Sequence, residues 1–163
     1  MALAIRPAGP DDREAVWAML EPVFRAGTTY AIDPSITREE ALAYWYAARP
    51  FVAQDEDVPL GTYYLRTNQP GGGSHVCNAG FVTAPGATGR GVARAMLDHA
   101  LATARDLGYL AMQFNFVVET NTRAVATWQR AGFGIVGRLP RAFNHPVHGF
   151  VDALVMHKDL SDA

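Results

Sequence analysis

Residues 86–91 read GATGRG and lie between a strand-like segment and a helix-like segment. Small side chains let the backbone approach a ligand closely, and free N–H groups at the start of a helix attract negative charge. Arg90 adds a cation at the rim of this loop. The pattern predicts a phosphate-binding site, with a glycine-rich turn that merely reverses the chain as the alternative.

Three phosphate-binding patterns compete for this segment. The P-loop of nucleotide-hydrolysing enzymes needs Lys and then Ser or Thr after the last glycine, whereas Val92 and Ala93 follow here. The dinucleotide-binding pattern GxGxxG has Arg94 at its third glycine, and the segment lies past mid-chain, outside an opening βαβ unit. The acyl-CoA pyrophosphate loop, R/Q-x-x-G-x-G/A, agrees from Gly91 onward and has Thr88 at its first position.

Three histidines and one carboxylate are candidate general bases. Histidine titrates near neutral pH, so His75, His145 and His148 each suit proton transfer, although a loop or surface position is the commoner setting. Glu119 could act through a water molecule, with plain solvent exposure as the alternative. His145 and His148 have a spacing that suggests a metal, but no acidic or cysteine partner completes a ligand set.

The elements that must position these residues follow from hydrophobic periodicity. Seven runs predict strands: residues 3–6, 51–54, 59–65, 75–83, 110–118, 133–139 and 150–157. Helical spacing predicts four helices: residues 10–23, 37–46, 92–107 and 121–130. The order β-α-α-β-β-β-α-β-α-β-β has helices interrupting a largely antiparallel series of strands. It predicts a mixed α/β (α+β) domain of three layers.

Composition places these elements in one domain. The chain has 163 residues, of which 49% are apolar and 18% charged, so we expect a single folded domain over residues 1–163 and no intrinsic disorder. A net charge of −2 leaves no basic surplus for nucleic acid. One cysteine excludes a disulfide framework and favours a cytoplasmic setting. No signal-peptide pattern and no apolar run of about 18 residues occurs, so we expect no membrane association.

Six short motifs occur in a fixed order between residues 79 and 160. They are Val82-x-x-Pro85, the loop just described, Gly108-Tyr109, Asn121-x-x-Ala124, Gly132-Phe133 and Gly149-Phe150-Val151-Asp152. None is decisive alone. Their joint order, with the order of the elements along the whole chain, resembles the GNAT superfamily of acetyl-CoA-dependent N-acetyltransferases.

The resemblance implies a GNAT-like central sheet, mixed but mostly antiparallel, in which the strand ending at residues 81–83 splays away from residues 110–118. The pantetheine arm of acetyl-CoA would lie against Phe81, Val82 and Thr83, bonded to backbone groups of the first and third. The pyrophosphate would bind backbone amides of one segment: Thr88, Gly89, Arg90, Gly91, Val92 and Ala93. Asn121 matches the family's asparagine that contacts the CoA arm. The family needs no metal, and we expect none.

Two segments carry a narrower resemblance. Residues 75–81 (HVCNAGF) and 114–121 (FNFVVETN) are similar to the proline-analogue acetyltransferases of fungi, which acetylate azetidine-2-carboxylate and related imino acids. The counterparts of Asn78 and Asn115 face the substrate in that group, which implies that these two residues bind the substrate at the catalytic centre. An amide side chain does not titrate near neutral pH, so the base would be a water chain or another residue.

Three further residues bear on the predicted site, one as a pocket residue and two as core residues. Many family members have a tyrosine seven residues after the asparagine that starts the last helix, as the general acid; Trp128 stands there, and core packing is the favoured role for it. Tyr30 lies in the segment between the first two helices, which overhangs the acceptor site in this fold, so it could line a substrate pocket. Cys77 alternates with Asn78 along a strand, so we expect it in the core.

Together these observations predict an N-acetyltransferase that moves an acetyl group from acetyl-CoA to a primary or secondary amine of a small molecule. The acceptor could be an amino or imino acid, and attack would be direct within a ternary complex. Two alternatives stay open: a protein or peptide amine acetyltransferase with an open groove, and a non-catalytic acyl-CoA-binding sensor. We expect a homodimer because terminal strands and helices often pair between subunits in this family.

Overall fold

Residues 2–161 are described by a computed structural model. Seven strands are present in this range: β1 (Leu3–Pro7), β2 (Arg49–Asp55), β3 (Val58–Thr67), β4 (Val76–Thr83), β5 (Ala111–Val118), β6 (Gly134–His145) and β7 (Gly149–Asp159). Four α-helices accompany them: α1 (Arg13–Ala26), α2 (Arg38–Tyr46), α3 (Val92–Asp106) and α4 (Thr122–Arg130). The element order predicted from the sequence is confirmed.

The seven strands form one sheet in the order β1-β2-β3-β4-β5-β7-β6. All neighbours are antiparallel except β4 and β5, which run parallel. That parallel pair is in register at one end, where Val76 pairs with Ala111 and Cys77 with Met112. Beyond this point the strands part toward Thr83 and Val118 within the described range. The splay implied by the GNAT resemblance is therefore present.

The core has two parts, one on each face of the sheet. On one face α1 and α2 pack through buried side chains: Val16, Leu20, Phe24, Leu42, Trp45, Val52 and Tyr64. On the other face α3 and α4 pack around a second set: Met96, Leu97, Ala100, Met112, Phe114, Met156, Val125 and Trp128. The predicted three-layer arrangement is confirmed. No helix within residues 2–161 has the length and apolar character needed to cross a membrane.

Local signals set the start of α2. The Thr37 hydroxyl accepts a hydrogen bond from the Glu40 N–H at 3.2 Å, and the Glu40 carboxylate accepts one from the Thr37 N–H at 3.1 Å. This reciprocal capping box satisfies two N–H groups that the first turn would leave free. It fixes where the segment between α1 and α2 ends.

Strand β6 is longer than the sequence predicted. It continues past residue 139 to His145, through an irregular stretch between Leu139 and Phe143 in which Arg141 has φ 52°. Pro140 lacks an N–H and interrupts the alternating pattern, so the continuation was hidden from the sequence. His145, expected in a loop, is a buried strand residue with a relative exposure of 9%.

Candidate active site

A cavity of about 480 Å³ opens where β4 and β5 part. Its lining comes from both layers of helices. Side chains from the α1–α2 side include Tyr30, Ile32, Tyr44 and Tyr64, and those from the α4 side include Ala124, Thr127 and Trp128. The cavity therefore reaches both faces of the sheet, so two molecules could meet there from opposite sides.

Strand pairing decides which backbone groups of β4 face this cavity. The Ala84 N–H donates to the Leu60 carbonyl at 2.8 Å, and antiparallel partners alternate between bonded and non-bonded pairs. The register of β3 and β4 then turns the peptide groups of Val82 toward β3 and those of Phe81 and Thr83 toward the gap. The two residues predicted to bond the CoA arm thus have the orientation which that role needs.

Tyr30 covers the α1–α2 side of the cavity. Its hydroxyl donates to the Phe81 carbonyl at 3.0 Å, and its ring packs edge-on against Phe24 with centroids 5.5 Å apart. Burial raises the pKa of Tyr30, because desolvation disfavours the phenolate. The hydroxyl therefore remains a proton-bearing donor at the edge of the gap.

The loop after β4 has an open, left-handed backbone. Gly86, Gly89 and Gly91 have φ of 83°, 83° and 78°, a region that other residues rarely adopt. A Cβ added at any of the three would meet no atom within 4 Å, so space lies beside the backbone. Helix α3 begins at the next residue, Val92, and brings the free N–H groups of its first turn to the loop. This geometry fits a pyrophosphate.

A second cavity, of about 440 Å³, adjoins the loop. Several predicted residues line it: Thr88, Gly89, Gly91, Val92 and Ala93. Arg94, Arg123 and Arg130 line it as well, and these positive charges suit a phosphate-bearing ligand. Arg90, the cation chosen from the sequence, is exposed in the same loop. The two arginines of α4 were missed because only the fold brings α4 beside this loop.

Asn121 and Trp128 are among the residues of the last helical segment that border the first cavity. The Asn121 side chain caps α4, accepting a hydrogen bond from the Ala124 N–H at 3.4 Å, and Asn121 lines the cavity. The Trp128 ring lies 5.3 Å from Phe81 and 5.0 Å from Phe114 between centroids. Trp128 therefore packs against the core, as predicted, and forms part of the cavity wall too.

Asn78 is held by two hydrogen bonds of opposite polarity. Its Nδ2 donates to the Gln113 carbonyl at 3.0 Å, and its Oδ1 accepts from the Tyr64 hydroxyl at 3.2 Å. Tyr64 in turn lies 3.2 Å from the Tyr44 hydroxyl. Asn78 and both tyrosines line the cavity. The sequence predicted Asn78 but not its partners, which lie on other elements.

Asn115 lies on the same face of the sheet and is exposed. Its Nδ2 donates to Asn68 Oδ1 at 2.6 Å, and its Oδ1 accepts from Gln113 Nε2 at 2.9 Å. Asn115 also lines the cavity. Asn68 and Gln113 belong to no motif, and the contact of Asn68 with Asn115 joins residues 47 positions apart in the chain.

The candidate bases lie outside the cavity lining that the described residues form. His75 is exposed just before β4, at the end opposite the gap. His145 Nδ1 accepts hydrogen bonds from the backbone of residues 147 and 148, so its lone pair is engaged. The Glu119 carboxylate pairs with Arg138 at 2.6 Å. Cys77 is buried as predicted, and burial raises the pKa of its thiol to about 12, which excludes a nucleophilic thiolate at neutral pH.

No group of three or more His, Cys, Asp or Glu residues that could hold a metal occurs within residues 2–161.

Residues 14–133 match the sequence model of the acetyltransferase (GNAT) family. The chain therefore belongs to this family and is an acetyl-CoA-dependent N-acetyltransferase.

Relatives agree with this assignment. The N-acetyltransferase aca1 of Schizosaccharomyces pombe is 30% identical over 150 residues, covering 79% of this chain and 71% of that protein. A GCN5-related N-acetyltransferase from Kribbella flavida has 42% identity and a TM-score of 0.93, covering 97% of this chain and 98% of that one. A GNAT superfamily phosphinothricin acetyltransferase from Sinorhizobium meliloti, solved with acetyl-CoA, shares the fold at 17% identity, with a TM-score of 0.86 and coverage of 100% and 91%.

Proposed function

We propose that this chain acts as one domain that acetylates a primary or secondary amine of a small molecule, most specifically an amino or imino acid. The observation that carries the proposal is the two-sided cavity between β4 and β5. On its α1–α2 side, the hydrogen bond from Tyr30 to the Phe81 carbonyl ties the covering segment to the sheet. That tie favours a small pocket over the open groove that a peptide needs.

The two sides of the cavity would bind different molecules, acetyl-CoA on the α3–α4 side and the amine on the α1–α2 side. Acetyl-CoA supplies an activated acetyl thioester. On the α3–α4 side, the loop amides and three arginines would hold its phosphates: Arg94, Arg123 and Arg130. Backbone groups of Phe81 and Thr83 would align its arm in the gap, and Asn121 would contact it. Positioning of this kind can supply much of the rate, because the thioester is already reactive.

The reaction requires a group that takes the proton of the amine. The amine must be neutral to attack, so its proton has to be removed. Burial raises the pKa of Tyr30 and of Tyr64, so both phenols stay protonated near neutral pH and neither can act as the base. Water in the cavity would therefore take that proton. The Tyr30 hydroxyl is a hydrogen-bond donor at the gap, where it donates to the Phe81 carbonyl and where Trp128 supplies no phenol.

The preference for amino or imino acids is supported by Asn78 and Asn115. Both line the cavity on the acceptor face, and the substrate-binding role expected for both comes from the proposed resemblance of their segments to proline-analogue acetyltransferases. Amide N–H groups can bind a carboxylate, and amide oxygens can accept from an amine.

The test measures thiol release from acetyl-CoA with an azetidine-2-carboxylate or proline acceptor. We expect turnover by the natural chain and at least about a tenfold loss of kcat/KM in Asn78→Ala and Asn115→Ala, the cost of one or two hydrogen bonds. Asn144→Ala, an exposed asparagine of β6, is the matched control and keeps full activity. Unchanged activity in both site variants would refute the assignment of the acceptor side.

We further propose a homodimer in the cytoplasm. Strand β6 is an edge strand, and large apolar side chains are exposed on it and beside it: Ile135, Val136, Leu139, Val147 and Phe150. Edges of this kind pair readily with another chain. The free thiol of Cys77 suits a reducing compartment.

A further inference from the structure

The hydrogen bonds around Asn78 have a fixed direction. A backbone carbonyl can only accept, so the atom 3.0 Å from the Gln113 oxygen must be Nδ2. The other atom of the amide is then Oδ1, which can only accept, so Tyr64 donates to it. The Tyr64 oxygen is left to accept from Tyr44. One backbone carbonyl thus sets the polarity of the whole chain of contacts.

This direction leaves one N–H of Asn78 for a ligand. Nδ2 carries two hydrogens, and within the described part of the chain it donates one bond, to Gln113. Asn78 lines the cavity, so its second N–H is available to an acceptor there. Two bonds of opposite polarity hold the amide plane, whereas the bond to Gln113 alone would leave it free to rotate.

Gly80 makes the position of Tyr64 possible. The two residues are paired across β3 and β4. A Cβ on Gly80 would lie 2.4 Å from Cε2 of Tyr64 and 3.0 Å from its hydroxyl oxygen, closer than real Cβ contacts come. The missing side chain at residue 80 therefore lets the phenol lie across β4 and reach Asn78.

A positive charge stands beside this chain of contacts. The guanidinium carbon of Arg66 lies 4.4 Å from the ring centroid of Tyr64 and 4.7 Å from that of Tyr44. One of its N–H groups donates to the Tyr44 carbonyl at 3.2 Å, which fixes the guanidinium there. A cation at this place favours an anion in the neighbouring part of the cavity.

We propose that Tyr64 is a positioning residue that holds the Asn78 amide with an N–H toward the cavity, so that the site selects amines that carry a carboxylate beside the nitrogen. Arg66 strengthens this preference through its charge. The proposal rests on the proposed function, because it concerns the acceptor of the same reaction. It assigns Tyr64 and Gly80 to substrate selection.

The test compares two acceptors that differ in one group, azetidine-2-carboxylate and azetidine. We expect the natural chain to prefer the carboxylate. In Tyr64→Phe the KM for the carboxylated acceptor should rise about tenfold to thirtyfold, since a hydrogen bond to a charged group is weakened. The kcat/KM for azetidine should change less than about threefold. Gly80→Ala should reproduce this split by displacing the Tyr64 ring.

Tyr46→Phe is the matched control, because it removes a tyrosine hydroxyl of α2 that donates to the Gly9 carbonyl outside the cavity. It should leave both acceptors unaffected. An equal loss on both acceptors in Tyr64→Phe would overturn the proposal and give Tyr64 a structural role only. No preference for the carboxylate in the natural chain would also overturn it. Turnover of no amine at all would instead refute the proposed function.

Discussion

At the scale of single residues, the proton-bearing groups of the site come from positions that no motif marks. The sequence has Trp128 where a tyrosine acid is common in the family, and the structure has a partly buried phenol, Tyr30, at the gap from a different element. Its contact with the Phe81 carbonyl depends on tertiary packing between residues far apart in the chain. The sequence could suggest Tyr30 as a pocket residue but not this bond.

Tyr30→Phe tests that phenol. Burial raises the pKa of Tyr30, so the hydroxyl should stay protonated up to and beyond its ordinary value of about 10. We therefore expect kcat of the natural chain to show no alkaline fall between about pH 7 and about pH 9.5, and Tyr30→Phe to lower kcat about fivefold to twentyfold across that range. Steady-state kinetics against pH checks this. An alkaline fall below about pH 9 that disappears in Tyr30→Phe would contradict the raised pKa.

The sequence predicted two asparagines of the cavity but not the residues that hold them. Asn78 and Asn115 were predicted, and each lines the cavity. Their partners Tyr64, Asn68 and Gln113 were not. The contacts of Tyr64 with Asn78 and of Asn68 with Asn115 depend on a strand register that a single sequence does not specify. No motif marks Gln113, which contacts Asn115 within β5.

At the scale of elements, strands and helices were predicted to within a few residues because their periodicity is strong. The loop and the start of α3 followed from glycine spacing, and the start of α2 from its capping box. The end predicted for β6 was wrong, because an irregular stretch near Pro140 breaks the alternation of apolar and polar residues on which the prediction relied. The arginines that α4 brings to the loop could not be predicted, because helix placement depends on long-range packing.

Two glycines allow a matched test of the loop. Gly91 and Gly108 have φ of 78° and 89°, and a Cβ on either would meet no atom within 4 Å. Replacement by Ala should therefore cost each a similar backbone strain of about 1–2 kcal/mol, measured by urea unfolding. Only Gly91→Ala should weaken acetyl-CoA binding in calorimetry, by at least about fivefold. The reason is that Gly91, unlike Gly108, lies in the loop proposed to bind the pyrophosphate. Equal affinities in both variants would place the pyrophosphate elsewhere.

At the scale of the whole molecule, the β6 edge of the sheet exposes large apolar side chains that do not pack into the core. Val136 on β6 is 63% exposed, next to other apolar side chains of the same edge. If two chains pair there, sedimentation equilibrium should give twice the chain mass of 17.7 kDa. Val136→Glu should shift the chain to monomer by placing a charge in the interface.

Val58→Glu is the control for that experiment, because Val58 is similarly exposed, at 59%, on β3 far from β6 in the strand order. It should leave the dimer intact. A monomer in the natural chain, or a dimer that survives Val136→Glu and breaks with Val58→Glu, would contradict pairing through β6.

The splayed sheet also organises the whole reaction. Because the gap between β4 and β5 is reached from both faces, acetyl-CoA and the amine can approach from opposite sides, and neither has to leave before the other binds. This arrangement supports the proposed direct transfer within a ternary complex, which would need no covalent intermediate on the buried thiol of Cys77.

The most direct test of the central claim is thiol release from acetyl-CoA, measured side by side with small carboxylated amines and with peptides that bear a free amino terminus or lysine. We expect turnover of the small amines, with kcat/KM at least about tenfold above that of any peptide. Turnover of peptides alone, or tight acetyl-CoA binding with no acetylation of any amine, would contradict it.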